Sequence, residues 1–182
     1  MAKPDIAPYR FVALGERMLS ARRAGRPLLD SAGDDRELLL QAIRDRRPEA
    51  ASARLRLLSL AASHGADAEL DAQLSSVVMD EDDDPRARLG ALTVIARNDR
   101  SQVAKVLDRV LNGDGPAWLG LAAAQHLVGQ PPPGLGDALA RLDARLLELA
   151  PESEPSRRYL KRLIDQLNNP TAFDDDEPGI VD

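Results

Sequence analysis

Apolar positions in this chain recur at intervals of three and four residues, the spacing that lines up one side of a helix. Leu55, Leu58 and Ala62 form one such set, and Leu70, Leu74 and Val77 another. Val103, Val106, Leu107 and Val110 repeat the pattern, as do Leu139, Leu142 and Leu146, and then Leu160, Leu163, Ile164 and Leu167. No convincing alternation of period two competes with them. Ala, Leu, Arg, Glu and Asp dominate while β-branched and aromatic residues are few, so an all-α fold is predicted.

Prolines punctuate this pattern. Pro8, Pro48, Pro85, Pro116 and Pro155 stand just before or at the start of successive apolar stretches, at spacings of 40, 37, 31 and 39 residues. Proline suits a first helical turn, where its missing N–H would have had no intrahelical partner. Turn formers with a possible N-cap follow at Gly65-Ala66-Asp67, Asn98-Asp99 and Gly134-Leu135-Gly136-Asp137. The spacing predicts helices over 8–24, 34–46, 48–63, 67–79, 85–97, 100–112, 116–128, 137–149 and 155–168, paired in order as four hairpins and a terminal helix. Helix pairs repeating at this interval predict an α-solenoid, with an irregular helical bundle as the alternative. Residues 1–169 then form a single repeat domain, and the helical pattern stops at Asn169-Pro170.

The stretch Asp84-Pro85-Arg86-Ala87-Arg88-Leu89-Gly90-Ala91-Leu92, continued by Ile95-Ala96-Arg97-Asn98-Asp99, resembles a HEAT-like repeat. The small Gly90 and Ala91 between Leu89 and Leu92 look like that family's tightly packed first helix. A looser copy begins at Asp114-Gly115-Pro116 and includes Leu121-Ala122-Ala123-Ala124 and Leu127, and a weaker one begins at Arg47-Pro48. The resemblance covers about residues 48–149. It implies an interaction surface more often than an active site, although some HEAT-like proteins are enzymes that modify DNA bases or proteins. The chain lacks the His-Glu dipeptides of the hydroxylase subclass, and five aromatic residues are few for a base-modifying face.

Composition narrows the chemistry. With no cysteine among 182 residues, disulfides, thiolate metal sites and cysteine nucleophiles are excluded, and a cytoplasmic protein is the default expectation. No apolar run is long enough for a membrane span, and the N-terminus opens no apolar run, so a soluble, unprocessed chain is expected. His64 and His126, the only histidines, sit near predicted helix C-termini, where an imidazolium complements exposed carbonyls. There is no Gly-x-Ser-x-Gly elbow and no phosphate-binding Gly-x-x-x-x-Gly-Lys-Ser/Thr loop. Gly134-Leu135-Gly136 begins like a dinucleotide fingerprint, but Leu139 takes the place of its third glycine. The expectation is therefore a non-enzyme without metal or cofactor.

The net charge of −6 is unevenly distributed. Residues 1–56 carry +4, residues 57–84 carry −8 and residues 85–113 return to +4. Asp80-Glu81-Asp82-Asp83-Asp84 is the densest run. A calcium loop with Asp80, Asp82 and Asp84 as its first ligands would need glycine where Pro85 stands and glutamate where Ala91 stands. What remains is a solvated interhelical loop whose Asp83 or Asp84 caps the next helix, or a docking site for a basic partner. Arginine makes up 21 of the 24 basic residues, a bias a GC-rich, bacterial-like genome would also produce. Arg22, Arg23, Arg26, Arg44, Arg46, Arg47, Arg54 and Arg56 crowd the first third. A mixed surface, or an intramolecular match to the acidic loop, is preferred there over a nucleic-acid groove because acids are interspersed.

Trp118 is either an interface anchor or a staple between hairpins. Phe173 ahead of Asp174, Asp175, Asp176 and Glu177 reads as a disordered acidic tail over 170–182, either solubilising or a short docking motif. The functional expectation is an adaptor or scaffold that binds a basic protein partner through a helix-lined surface, with Asp80–Asp84, Trp118, Phe173 and Asp174–Asp176 as partner-binding residues. The alternatives are a dedicated chaperone or inhibitor of one basic client, then a HEAT-like enzyme or nucleic-acid-binding protein. An incomplete solenoid with apolar ends also invites a homodimer. Without Asp80–Asp84 and Asp174–Glu177 the charge of −6 becomes +3, so the body is weakly basic.

Overall fold

A computed structural model describes residues 7–29, 33–62, 67–149 and 154–169. Among the described residues the regular structure is helical, without strands. In chain order the helices are α1 (Pro8–Arg23), α2 (Asp34–Arg44), α3 (Ala51–Ala61), α4 (Ala68–Met79), α5 (Pro85–Asn98), α6 (Arg100–Leu111), α7 (Ala117–Val128), α8 (Leu135–Leu149) and α9 (Glu154–Asn168). A 3-10 turn, Pro48–Ala50, leads into α3. Among the described residues no helix is long and apolar enough to cross a membrane.

Local chemistry sets the helix ends. Pro8 and Pro85 occupy first-turn positions, and the Asp67 and Asp84 carboxylates accept amides of the first turns of α4 and α5. At the other end, Gly25 (φ 63°) and Gly113 (φ 109°) take the left-handed conformation that closes α1 and α6. Past them, Arg26 N–H donates to Ala21 O and Asp114 N–H to Arg109 O, each at 2.9 Å, which satisfies last-turn carbonyls.

The chain divides into two compact units, Met1–Asp99 and Arg100–Asp182. In the first, α1 packs on α3 and α3 on α5 to make one layer, while α2 and α4 make the other. Phe11, Leu14, Met18, Leu39, Ile43, Leu57, Leu58, Leu74 and Ile95 fill the space between, each almost wholly buried. A fully buried side chain of this size contributes about 1.5–3 kcal/mol, far more than helix propensity does. The expected tight packing at Gly90 and Ala91 is not required at Gly90, where a Cβ would make only an ordinary contact with α3. A methyl on Gly90 would stand 3.5 Å from Leu58 Cβ, and Ala91 is buried.

The second unit repeats the alternation, with α6 against α8 and α7 against α9. A close helix crossing in it is at Gly120 of α7. A Cβ there would come within 3.0 Å of both Leu142 Cδ1 and Val110 Cγ1.

The pairing of helices differs from the expected one. The helix led by Pro48 was expected to open a hairpin with the next helix, and the one led by Pro85 likewise. In the fold α3 packs on α1, α5 and, less extensively, α2, and α5 packs chiefly on α4, so neither proline-led helix opens a hairpin with the helix that follows it. The boundary between the two units also falls inside the expected third hairpin, at Asp99/Arg100.

Candidate interaction site

The acidic run Asp80–Asp84 is the link between α4 and α5, and most of its carboxylates have local work. Asp80 Oδ1 accepts the Asp82 amide at 3.1 Å and Asp83 N–H donates to Asp80 O at 3.2 Å, which together turn the chain. Asp83 Oδ1 accepts the Asp84 amide at 2.8 Å, and Asp84 Oδ1 accepts the Arg86 amide at 2.7 Å to start α5. Aspartate is the suitable residue at all three places because its short side chain reaches backbone amides one or two residues away.

Long-range contacts fix the loop to the unit. Arg54 of α3 donates both terminal nitrogens to the two Asp83 oxygens, at 2.5 and 2.6 Å, and its Nε donates to Ile43 O at 2.8 Å. Arg54 and Asp83 are only 4% and 6% exposed. Arg46 pairs with Asp80 and stands 3.9 Å from Asp83. Burial alone would raise the Asp83 carboxyl, but Arg54, the Asp84 amide and Arg46 outweigh it and hold the group below its ordinary value. On α5, the buried Arg88 donates Nε to Val78 O at 2.9 Å. Its burial pulls that guanidinium down from its ordinary value, against the opposing charges of Glu81 and Asp83.

Arg54 and Arg88 are equivalent. Each belongs to an Ala-Arg-Leu segment, Ala53-Arg54-Leu55 and Ala87-Arg88-Leu89, and each reaches the penultimate carbonyl of the helix before its own. These two bonds tie α3 to the end of α2 and α5 to the end of α4. In the sequence the pair shows as an arginine recurring after 34 residues on an otherwise apolar helix face, a period distinct from the proline spacing.

The expected partner residues therefore separate. Asp83 turns inward and has no surface to offer. Asp80 is half-buried under Arg46, while Glu81, Asp82 and Asp84 are exposed, Asp84 through a carboxylate that also caps α5. Trp118, second residue of α7, is partly exposed and belongs to the other unit. Phe173, Asp174, Asp175 and Asp176 lie outside the described residues, as does His64. The His126 carbonyl accepts from Arg100 at 3.0 Å. Among the described residues no three His, Cys, Asp or Glu side chains converge as a metal site.

The arginines of the first third separate as well. Arg17 pairs with Asp35, Arg36 with Asp67 and Glu69, Arg44 bonds Gln73, Arg47 pairs with Asp45, and Arg56 with Glu16. Only Arg46 and Arg54 match the acidic loop itself; Arg17, Arg36, Arg47 and Arg56 pair with acids elsewhere in the unit, and Arg44 with an amide. Arg22 and Arg23, at the end of α1, and Arg26, just past it, are exposed and form no ion pair among the described residues. Tyr9 and Val12, 72% and 48% exposed, place apolar surface on the same helix.

Compared with models of protein families, with curated proteins and with solved structures, the chain matches none.

Proposed function

We propose that this chain is a HEAT-like helical-repeat adaptor or scaffold that binds a basic protein partner without covalent chemistry. The observation that supports it is the construction of the α4–α5 loop. Asp80, Asp83 and Asp84 hold its shape through the Arg46 and Arg54 contacts and the α5 cap, which leaves Glu81 and Asp82 projecting from a pre-ordered turn. A rigid acidic tip binds with less loss of conformational entropy than a mobile one, and its charge steers a basic partner into contact. Trp118, Phe173 and the acids Asp174–Asp176 are the further contact residues of this reading.

The test is affinity capture from native extract with the full chain beside its Glu81→Gln/Asp82→Asn variant, over a series of salt concentrations. A partner held by the parent chain and lost by the variant, and eluted by moderate salt, supports the reading. Identical partners on both chains refute it. A polyanion-binding reading draws on Arg22, Arg23 and Arg26 alone. Heparin retention that disappears when all three become alanine would favour it.

A further inference from the structure

Helix α9 carries the densest exposed basic surface of the second unit. Leu160 and Leu163 point inward and are buried, while Arg158, Lys161 and Arg162 are exposed. Along its flank runs a shallow depression of about 250 Å³ lined by Asp143, Glu154, Arg157, Arg158, Lys161 and Ile164. Arg157 lies 3.3 Å from Asp143 and Arg158 lies 3.7 Å from Glu154, both pairs well exposed. Such pairs contribute little and exchange partners readily. Lys161, which shares the depression with Asp143 and Glu154, and Arg162 form no ion pair among the described residues. The same helix passes the chain on at Asn169 to residues 170–182, where Phe173 precedes Asp174, Asp175, Asp176 and Glu177.

We propose that the basic flank of α9 is the docking site for this acidic segment of the same chain. Asp174–Glu177 lie against Arg157, Arg158, Lys161 and Arg162, with Phe173 over the partly exposed Ile164. The reach suffices. At a rise of 1.5 Å per residue, Lys161 is about 10 Å and Arg158 about 15 Å back along the helix from Asn168. An extended chain covers about 3.5 Å per residue, so the five steps from Asn169 to Asp174 span up to about 17 Å. A tether this short gives an effective concentration in the millimolar range, enough to populate an association too weak to persist between separate molecules. The inference rests on charge and reach within the second unit and is independent of the adaptor reading. If both hold, a basic partner must displace the α9 bases to engage the tail, whereas Glu81 and Asp82 need no such exchange.

The chain has no cysteine, so a full-length Gly179→Cys variant carries a single nitroxide label. Paramagnetic broadening of the α9 amides is compared with that in the same variant bearing Asp174→Asn, Asp175→Asn, Asp176→Asn and Glu177→Gln, which keeps the tether and removes the charge. Docking gives excess broadening over residues 157–162 in the charged chain. The excess disappears with Lys161→Glu/Arg162→Glu, and at about 1 M salt, where the screening length falls to about 3 Å. Equal broadening with and without the tail charges overturns the proposal, as does an excess that maps to Arg22, Arg23 and Arg26. Broadening of isotope-enriched chains by separate spin-labelled chains assigns the contact to a second copy, and also overturns it.

Discussion

Replacing Asp83 with alanine leaves the Arg54 guanidinium buried with only Ile43 O for a partner. The two bonds lost, at 2.5 and 2.6 Å, are charge-assisted and almost fully shielded from water. Removing one member of such a pair costs about 3–5 kcal/mol, because the remaining charge is still desolvated. Arg54→Met should cost a similar amount, since it strands the carboxylate and also removes the donor to Ile43 O. The double variant Arg54→Met/Asp83→Ala should be less destabilised than the sum of the singles by about 2 kcal/mol, as no unpaired charge remains. Urea unfolding of the full chain followed by far-ultraviolet circular dichroism measures all three. Native-state hydrogen exchange in α3 and α5 locates the loss. Single-variant costs below about 1 kcal/mol, or costs additive within about 0.5 kcal/mol, would show that the pair does not anchor the loop.

Glu81→Gln/Asp82→Asn should change stability by less than about 0.5 kcal/mol in the same urea experiment, because both side chains are exposed. Gly120→Ala should lower stability by about 1 kcal/mol or more in thermal unfolding, because a Cβ 3.0 Å from Leu142 and Val110 overpacks a crossing that a propensity gain of about 1 kcal/mol does not offset. Gly90→Ala, whose nearest neighbour is Leu58 at 3.5 Å, should be neutral or stabilising by up to about 1 kcal/mol. The Asp67 carboxyl, held by Arg36 at 2.8 Å through both oxygens and by the α4 amides, is pulled down from 3.8 to about 2. A depressed carboxylate stabilises the fold fully above its ordinary value, and that contribution fades as pH falls from 3.8 through about 2. Its titration followed by carboxyl NMR should move up toward 3.8 in Arg36→Gln, and the acid-unfolding midpoint should rise with it.

Sequence alone determined where the helices are. Pro8 and Pro85 start α1 and α5, and Asp67 and Asp84 cap α4 and α5, all within a residue or two of the expected bounds. These signals are legible because each acts within one helical turn, between groups already adjacent in the chain. The all-helical class followed from the same periodicity. Tertiary structure decided which helix lies on which, because the contacts that choose the partner join residues far apart in the chain. Arg54 meets Asp83 across 29 residues, and no pattern inside Asp80-Glu81-Asp82-Asp83-Asp84 marks which of five acids turns inward. Burial made that choice: the only acid that can meet the Arg54 fork in a water-free site is the one the α4–α5 turn aims at it, and the acids on either side are left at the surface.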